Sequence, residues 1–151
     1  MDRWYFAYGS NMCSTRLEER VGRTGVAWQM GWLKGYTLTF DKFADNGIGY
    51  ANIQPDKEDI VYGVLYRLSE TELQKLDSLE GVPQHYRRVP ITVETKAGTQ
   101  QAVTYIAVKV QKDLRPKRCY LELLIQGAIE HNLPDAYIQR LKSVRTYEEG
   151  V

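Results

Sequence analysis

The chain has 151 residues, 43% apolar and 26% charged, with a formal net charge of +1. That length supports one domain with a real core, residues 1–151, in an ordinary globular composition. The near-neutral charge leaves no electrostatic footprint for nucleic acid or a membrane surface. Two cysteines, Cys13 and Cys119, show neither a Cys-x-x-Cys pattern nor metal-ligand spacing. They read as free thiols in a reducing compartment. The start, Met-Asp-Arg-Trp, lacks a signal-peptide pattern, and no apolar run reaches membrane-spanning length, so the expected location is the cytoplasm.

Residues 3–8 read as a strand with Trp4, Phe6 and Tyr8 on one face. It stops in Tyr8-Gly9-Ser10-Asn11. Gly9 permits positive φ or close approach to a ligand, and Ser10 and Asn11 favour side-chain to backbone bonds that shape a turn. Two readings stay open on these four residues: an ordinary strand-end turn, or a nest of backbone donors for a carboxylate or oxyanion. Residues 11–21 read as a short helix with Leu17 and Val21 inward.

Residues 26–40 read as strands broken by Gly31 and Gly35, with Tyr36, Leu38 and Phe40 alternating. Asp45-Asn46-Gly47 signals a turn. Residues 50–54 read as a short strand ended by Pro55. Residues 60–68 are apolar on both faces, as in a central buried strand. Ser69-Glu70-Thr71-Glu72 is a capping box that opens a helix, with Leu73, Leu76 and Leu79 on its buried stripe and Gly81 beyond its end. Alternation over 88–95 and 102–108, with Ala97-Gly98 between, predicts a hairpin. Residues 117–131 read as a helix with Tyr120, Leu123, Leu124 and Ala128 inward, closed by Asn132. Leu133-Pro134 begins a last helix, and the polar tail from Thr146 is expected to fray. Strand runs with a few inserted helices predict an α+β fold, its mixed or antiparallel sheet closing into a small barrel.

Glu80 is the candidate catalytic residue. It stands in the last turn of its helix, where the dipole disfavours a carboxylate, and between apolar neighbours that favour burial. Both effects suit a general acid/base near neutral pH. The competing reading is a solvated helix-end glutamate. His85 and His131 are the two histidines, expected at the surface. The basic run Arg115-Pro116-Lys117-Arg118 reads as a solvated loop and helix start. Tyr86 and Arg87 read as strand entry or as an anion contact. No metal, P-loop or Gly-x-Gly-x-x-Gly motif is present.

Taken together, several segments carry a resemblance. They are 5–11 (Tyr-Phe-Ala-Tyr-Gly-Ser-Asn), 49–53 (Gly-Tyr-Ala-Asn-Ile), 61–66 (Val-Tyr-Gly-Val-Leu-Tyr) and 76–82 (Leu-Asp-Ser-Leu-Glu-Gly-Val), with Tyr86-Arg87 and Tyr120 beyond. In this order and spacing the chain resembles the γ-glutamylcyclotransferase family, which includes the AIG2-like proteins. The resemblance implies a barrel of about six strands with flanking helices and no cofactor or metal. It implies a small-molecule γ-glutamyl substrate that cyclises to 5-oxoproline and releases its amine, in a monomer or homodimer. Glu80 matches the family's catalytic glutamate, and Tyr8, Gly9, Ser10 and Asn11 its substrate loop. Tyr86 and Tyr120 are further substrate-binding candidates, with Tyr8, Tyr86 and Tyr120 as sources of hydroxyls. The leaving group is open between amino acids, amines such as an ε-linked lysine, and a protected metabolite, with a glutathione-specific relative less close by motif. The loops 41–48 and 111–118 are expected to line its side. A catalytically inactive binding module of the same fold is the alternative.

Overall fold

The structure is a computed structural model, and it describes residues 2–149. Five strands close into a barrel: β1 (Asp2–Ala7), β2 (Trp28–Asp45), β3 (Ile48–Ser69), β4 (Tyr86–Thr95) and β5 (Gly98–Ala107), in the order β1-β3-β2-β4-β5. All neighbours are antiparallel except β1 and β5, which close the barrel in parallel at Tyr5 and Val103. Four α-helices flank it: α1 (Ser14–Val21), α2 (Glu70–Leu79), α3 (Arg118–Glu130) and α4 (Asp135–Lys142). A 3-10 turn, Ser10–Met12, links β1 to α1.

Two long strands account for five where about six are expected. Gly31 and Gly35 do not break β2: Gly31 pairs with Gly63, and Gly35 takes φ +86° at a shift in register. Opposite Gly35, residues 56–59 bulge outward between the pairs Tyr36–Pro55 and Lys34–Ile60. Pro55 therefore sits at a bulge, where a missing ladder N–H is tolerated, and β3 continues past it. The second half of β3 lies between β1 and β2, so Val61, Val64, Leu65 and Tyr66 are buried on both faces.

The capping box opens α2 as read: Ser69 Oγ accepts from the Glu72 amide at 3.1 Å and Glu72 Oε1 from the Ser69 amide at 2.9 Å. Glu72 also binds Arg23 at 2.7 and 3.0 Å, which holds its carboxyl down at about 2. Leu73 and Leu76 enter the core, but Leu79 is 55% exposed. The last turn of α2 overhangs a cleft instead of the core. Arg88 on β4 anchors this helix through Asp77 and Glu70, with contacts of 2.5–3.2 Å, and Tyr105 Oη donates to Asp77 at 2.6 Å. That charge-assisted network fixes where α2 ends, and so where Glu80 stands.

Three other expectations change. In β1, Tyr5 is buried as well as Phe6, because one face of the strand meets the core and the other a cleft wall. His131 is 1% exposed: Nδ1 meets the Gly127 carbonyl at 2.8 Å and Nε2 meets Ser14 Oγ at 3.0 Å, tying α3 to the start of α1. The described tail is docked, with Thr146 buried, the Tyr147 amide on the Pro116 carbonyl at 2.8 Å and Glu148 on the Arg118 amide at 2.9 Å. Its Glu148 supplies the acceptor that the first turn of α3 lacks in its own sequence.

Candidate active site

A cleft of about 990 Å³ opens at one end of the barrel. Four segments wall it: the end of β1 with the 3-10 turn, α1, the hairpin joining β2 to β3, and the turn from α2 to β4; the start of α3 closes it. Tyr8, Gly9, Ser10, Asn11, Glu80, Tyr86 and Tyr120 all line it. The residues picked from sequence, spread over more than a hundred positions, thus meet in one place.

Glu80 is the C-cap of α2, and Gly81 follows in the left-handed region at φ +70°, turning the chain sharply toward His85 and Tyr86. A Cβ on Gly81 would stand 2.5 Å from the His85 ring, so glycine is required there twice over. The Glu80 side chain is 19% exposed. Its partners are loose: Asn11 Nδ2 at 3.5 Å and Arg20 Nη1 at 3.4 Å. Burial therefore dominates and raises its pKa, against the opposing pull of Arg20, Arg16, Asn11 and Lys42.

Asn11 is 3% exposed and donates to Tyr5 Oη at 3.0 Å, while its carbonyl oxygen has no partner among the described residues. An unmatched buried acceptor beside a carboxylate suits a ligand donor such as an ammonium. Ser10 Oγ accepts from Arg16 Nε at 2.9 Å, which brings a second cation to the turn. Arg16, Arg20, Tyr5 and Lys42 are cleft residues that motif reading missed. The signal for the arginines was their spacing: four apart on α1, they share one helix face.

The tyrosines divide into two kinds. Tyr8 Oη donates to the Tyr105 carbonyl, and Tyr86 Oη to the Ala51 carbonyl at 2.8 Å. Their protons are committed, so these two are walls and acceptors, not the free donors expected. Tyr120 Oη accepts from the Ala51 amide at 3.1 Å and keeps its proton to give. Tyr5 Oη likewise accepts, from Asn11. Burial raises the pKa of both Tyr5 and Tyr120 far above the usual tyrosine value, so both stay protonated donors. Arg87 is exposed and does not line the cleft. Of the expected leaving-group loops, the 41–48 segment contributes Lys42, Ala44, Asp45 and Ile48, and the other contributes Lys117.

A family model described as the AIG2-like family matches residues 60–141, the stretch that holds the second half of β3, α2 with Glu80, the hairpin and α3. The chain belongs to the AIG2-like family. Among its relatives, a Mus musculus protein named gamma-glutamylcyclotransferase is 29% identical over 150 residues, spanning 95% of this chain and 79% of that protein. The Homo sapiens protein of that name is 27% identical over 146 residues, spanning 93% and 77%. A solved structure named gamma-glutamyl cyclotransferase superposes with a TM-score of 0.88 at 26% identity, covering 97% of this chain and 89% of the other. This AIG2-like chain has no helix long and apolar enough to cross a membrane among its described residues.

Proposed function

We propose that this AIG2-like protein is a γ-glutamylcyclotransferase that uses Glu80 as its single acid and base. The observation that carries the reading is a buried, loosely held carboxylate facing a Gly-Ser-Asn turn, in a fold shared with proteins of that name. The substrate supplies its own nucleophile. Its α-amine attacks its own γ-carbonyl, the five-membered ring closes, and the amide C–N bond breaks. The protein's task is to fold the γ-glutamyl chain back on itself and to carry two protons from the attacking nitrogen to the departing one.

Glu80, ionised, takes a proton from the α-ammonium, and Asn11 Oδ1 accepts a second ammonium hydrogen. The freed amine adds to the carbonyl carbon. The Gly9 and Ser10 amides and the Tyr120 hydroxyl supply donors to the α-carboxylate and the oxyanion. Glu80 then returns the proton to the departing nitrogen as the C–N bond breaks. It takes the second proton that the ring nitrogen must shed and passes it to the released amine, so that 5-oxoproline leaves with one ring N–H and the amine leaves as an ammonium. A raised pKa suits a group that must both accept and give back a proton. No nucleophilic serine or cysteine is called for, and Cys13 and Cys119 are free thiols, in keeping with a cytosolic enzyme.

The test is release of 5-oxoproline from γ-glutamyl-L-alanine, followed chromatographically. Stoichiometric 5-oxoproline and alanine are expected. Glutamate in place of 5-oxoproline would mean hydrolysis and would overturn the cyclisation. A binding module without turnover has no observation in its favour, since the carboxylate and the turn remain assembled.

A further inference from the structure

Lys42 plays no part in the proton transfers above, yet it is among the more unusual groups in the molecule. It is 8% exposed and lines the cleft. Its ammonium donates to the Phe43 carbonyl at 2.8 Å and to His85 Nδ1 at 3.0 Å. Both acceptors are neutral, and Nζ makes no ion pair among the described residues. An ammonium has three donors, and one is left over. The centre of the Tyr86 ring lies 6.0 Å from Nζ. A buried ammonium held by neutral groups and outside any ion pair is costly, and such local costs are retained where a ligand completes the site.

His85 completes the arrangement. Its Nδ1 accepts from Lys42, so its proton sits on Nε2, which has no hydrogen-bond partner among the described residues. His85 lies just past the Glu80 turn, its amide held by the Gly81 carbonyl at 2.8 Å and its carbonyl by the Val108 amide at 2.9 Å. One Nζ–H and one Nε2–H on the same cleft wall make a carboxylate receptor. Lys42 and His85 line the same cleft as Glu80, so one bound substrate can meet all three.

On the cyclotransferase reading the glutamyl carboxylate is taken by the Gly9–Ser10 turn, where Arg16 binds Ser10. Lys42 belongs to a different wall, the segment with Ala44, Asp45 and Ile48. Asp45 there is exposed, its Oδ1 occupied by the Asn46 amide at 2.8 Å. We propose that Lys42 and His85 receive a carboxylate carried by the leaving amine, next to the scissile nitrogen. The chain then selects γ-glutamyl amino acids over γ-glutamylamines that lack that group. This rests on the cyclotransferase reading and adds a specificity determinant to it.

The experiment compares γ-glutamyl-L-alanine with γ-glutamylethylamide, which differ by one carboxylate, on the wild type, Lys42→Met, Lys42→Arg and His85→Phe. The wild type is expected to favour the alanine compound at least tenfold in kcat/KM. Lys42→Met should cut that ratio at least tenfold, His85→Phe should lower it less, and Lys42→Arg should keep most of it. Lys42→Met should melt no lower than the wild type, since it removes an uncompensated buried charge. A wild-type ratio near one, an unchanged ratio in Lys42→Met, or a lower melting temperature in that variant overturns the proposal. Should the wild type turn over neither compound, the cyclotransferase reading fails on these substrates, and calorimetric binding decides Lys42 alone. Tighter binding of the alanine compound that disappears in Lys42→Met supports the receptor; equal binding of both compounds refutes it.

Discussion

Replacing Glu80 by glutamine changes one atom and keeps the shape. The present contacts, 3.5 Å to Asn11 and 3.4 Å to Arg20, are long enough that a neutral carbonyl oxygen keeps most of what they contribute. Substrate binding should therefore survive while proton transfer does not. General acid–base catalysis contributes about 10²–10⁴-fold, or about 2.7–5.4 kcal/mol of barrier. With one carboxylate proposed both to take and to return the proton, the expected loss in kcat falls in the upper half of that range, with KM little changed. Stability should move the other way. Burial raises the native pKa of Glu80, so the folded state holds its proton more tightly than the unfolded chain does. Its contribution is full below the ordinary value of 4.5 and declines as pH rises through the native pKa. Glutamine has no such decline. Glu80→Gln should thus melt above the wild type at pH 8, with the gap closing toward pH 4. The assay pairs steady-state 5-oxoproline release with thermal melts at both pH values. A kcat within tenfold of wild type, or a variant less stable at pH 8, would refute the reasoning.

Arg20 is the strongest charge pulling the Glu80 pKa down, so Arg20→Met should push it up and move the acid limb of the kcat/KM profile to higher pH; a limb that stays put removes Arg20 from this role. Gly9→Val sets a Cβ 3.3 Å from Ala51 Cβ and 3.4 Å from Tyr120 Oη, and its methyls must enter the cleft or displace that hydroxyl. The loss of one oxyanion donor, about 3 kcal/mol, predicts about a 100-fold fall in kcat/KM; near-normal kinetics would show that the turn does not hold the substrate. Gly127→Ala puts a Cβ 2.4 Å from the Met12 carbonyl carbon and 2.6 Å from the Cys13 nitrogen. Backbone cannot yield as a side chain can, so α3 must shift off the turn at a cost of about 1–3 kcal/mol, or about 2–12 °C in Tm. A melting temperature within one degree of wild type would contradict that packing.

Sequence periodicity alone was a good guide where a residue's neighbours in the chain are also its partners. The capping box of α2, the 45–47 turn, the β4–β5 hairpin and the double-faced burial of 61–66 follow from spacing, because helix caps, turns and strand alternation are local. Glu80 stands out as a candidate for the same reason: a glutamate at a helix C-terminus before glycine breaks a local rule, and the structure places it at the C-cap, largely buried in the cleft. The misreadings share one cause. Gly35 and Pro55 look like strand breaks, yet they face each other across one bulge, and only pairing reveals it. Leu79 fits the apolar stripe of α2, but with Arg88 of β4 holding Asp77 and Glu70 the last turn of the helix overhangs a cleft. His131 reads as a surface group until α1 and α3 are brought together around it.

What the residues determine without tertiary help is the alphabet of the site: a carboxylate, a Gly-Ser-Asn turn and a set of tyrosines, in an order that marks a family. Which of them can act was decided by the closed barrel. Closure spends the Tyr8 and Tyr86 protons on the Tyr105 and Ala51 carbonyls, leaves those of Tyr5 and Tyr120 free, and buries Lys42 in the cleft wall against neutral acceptors. Hydrogen-bond partners and solvent exclusion arise between segments far apart in sequence, so no local pattern encodes them.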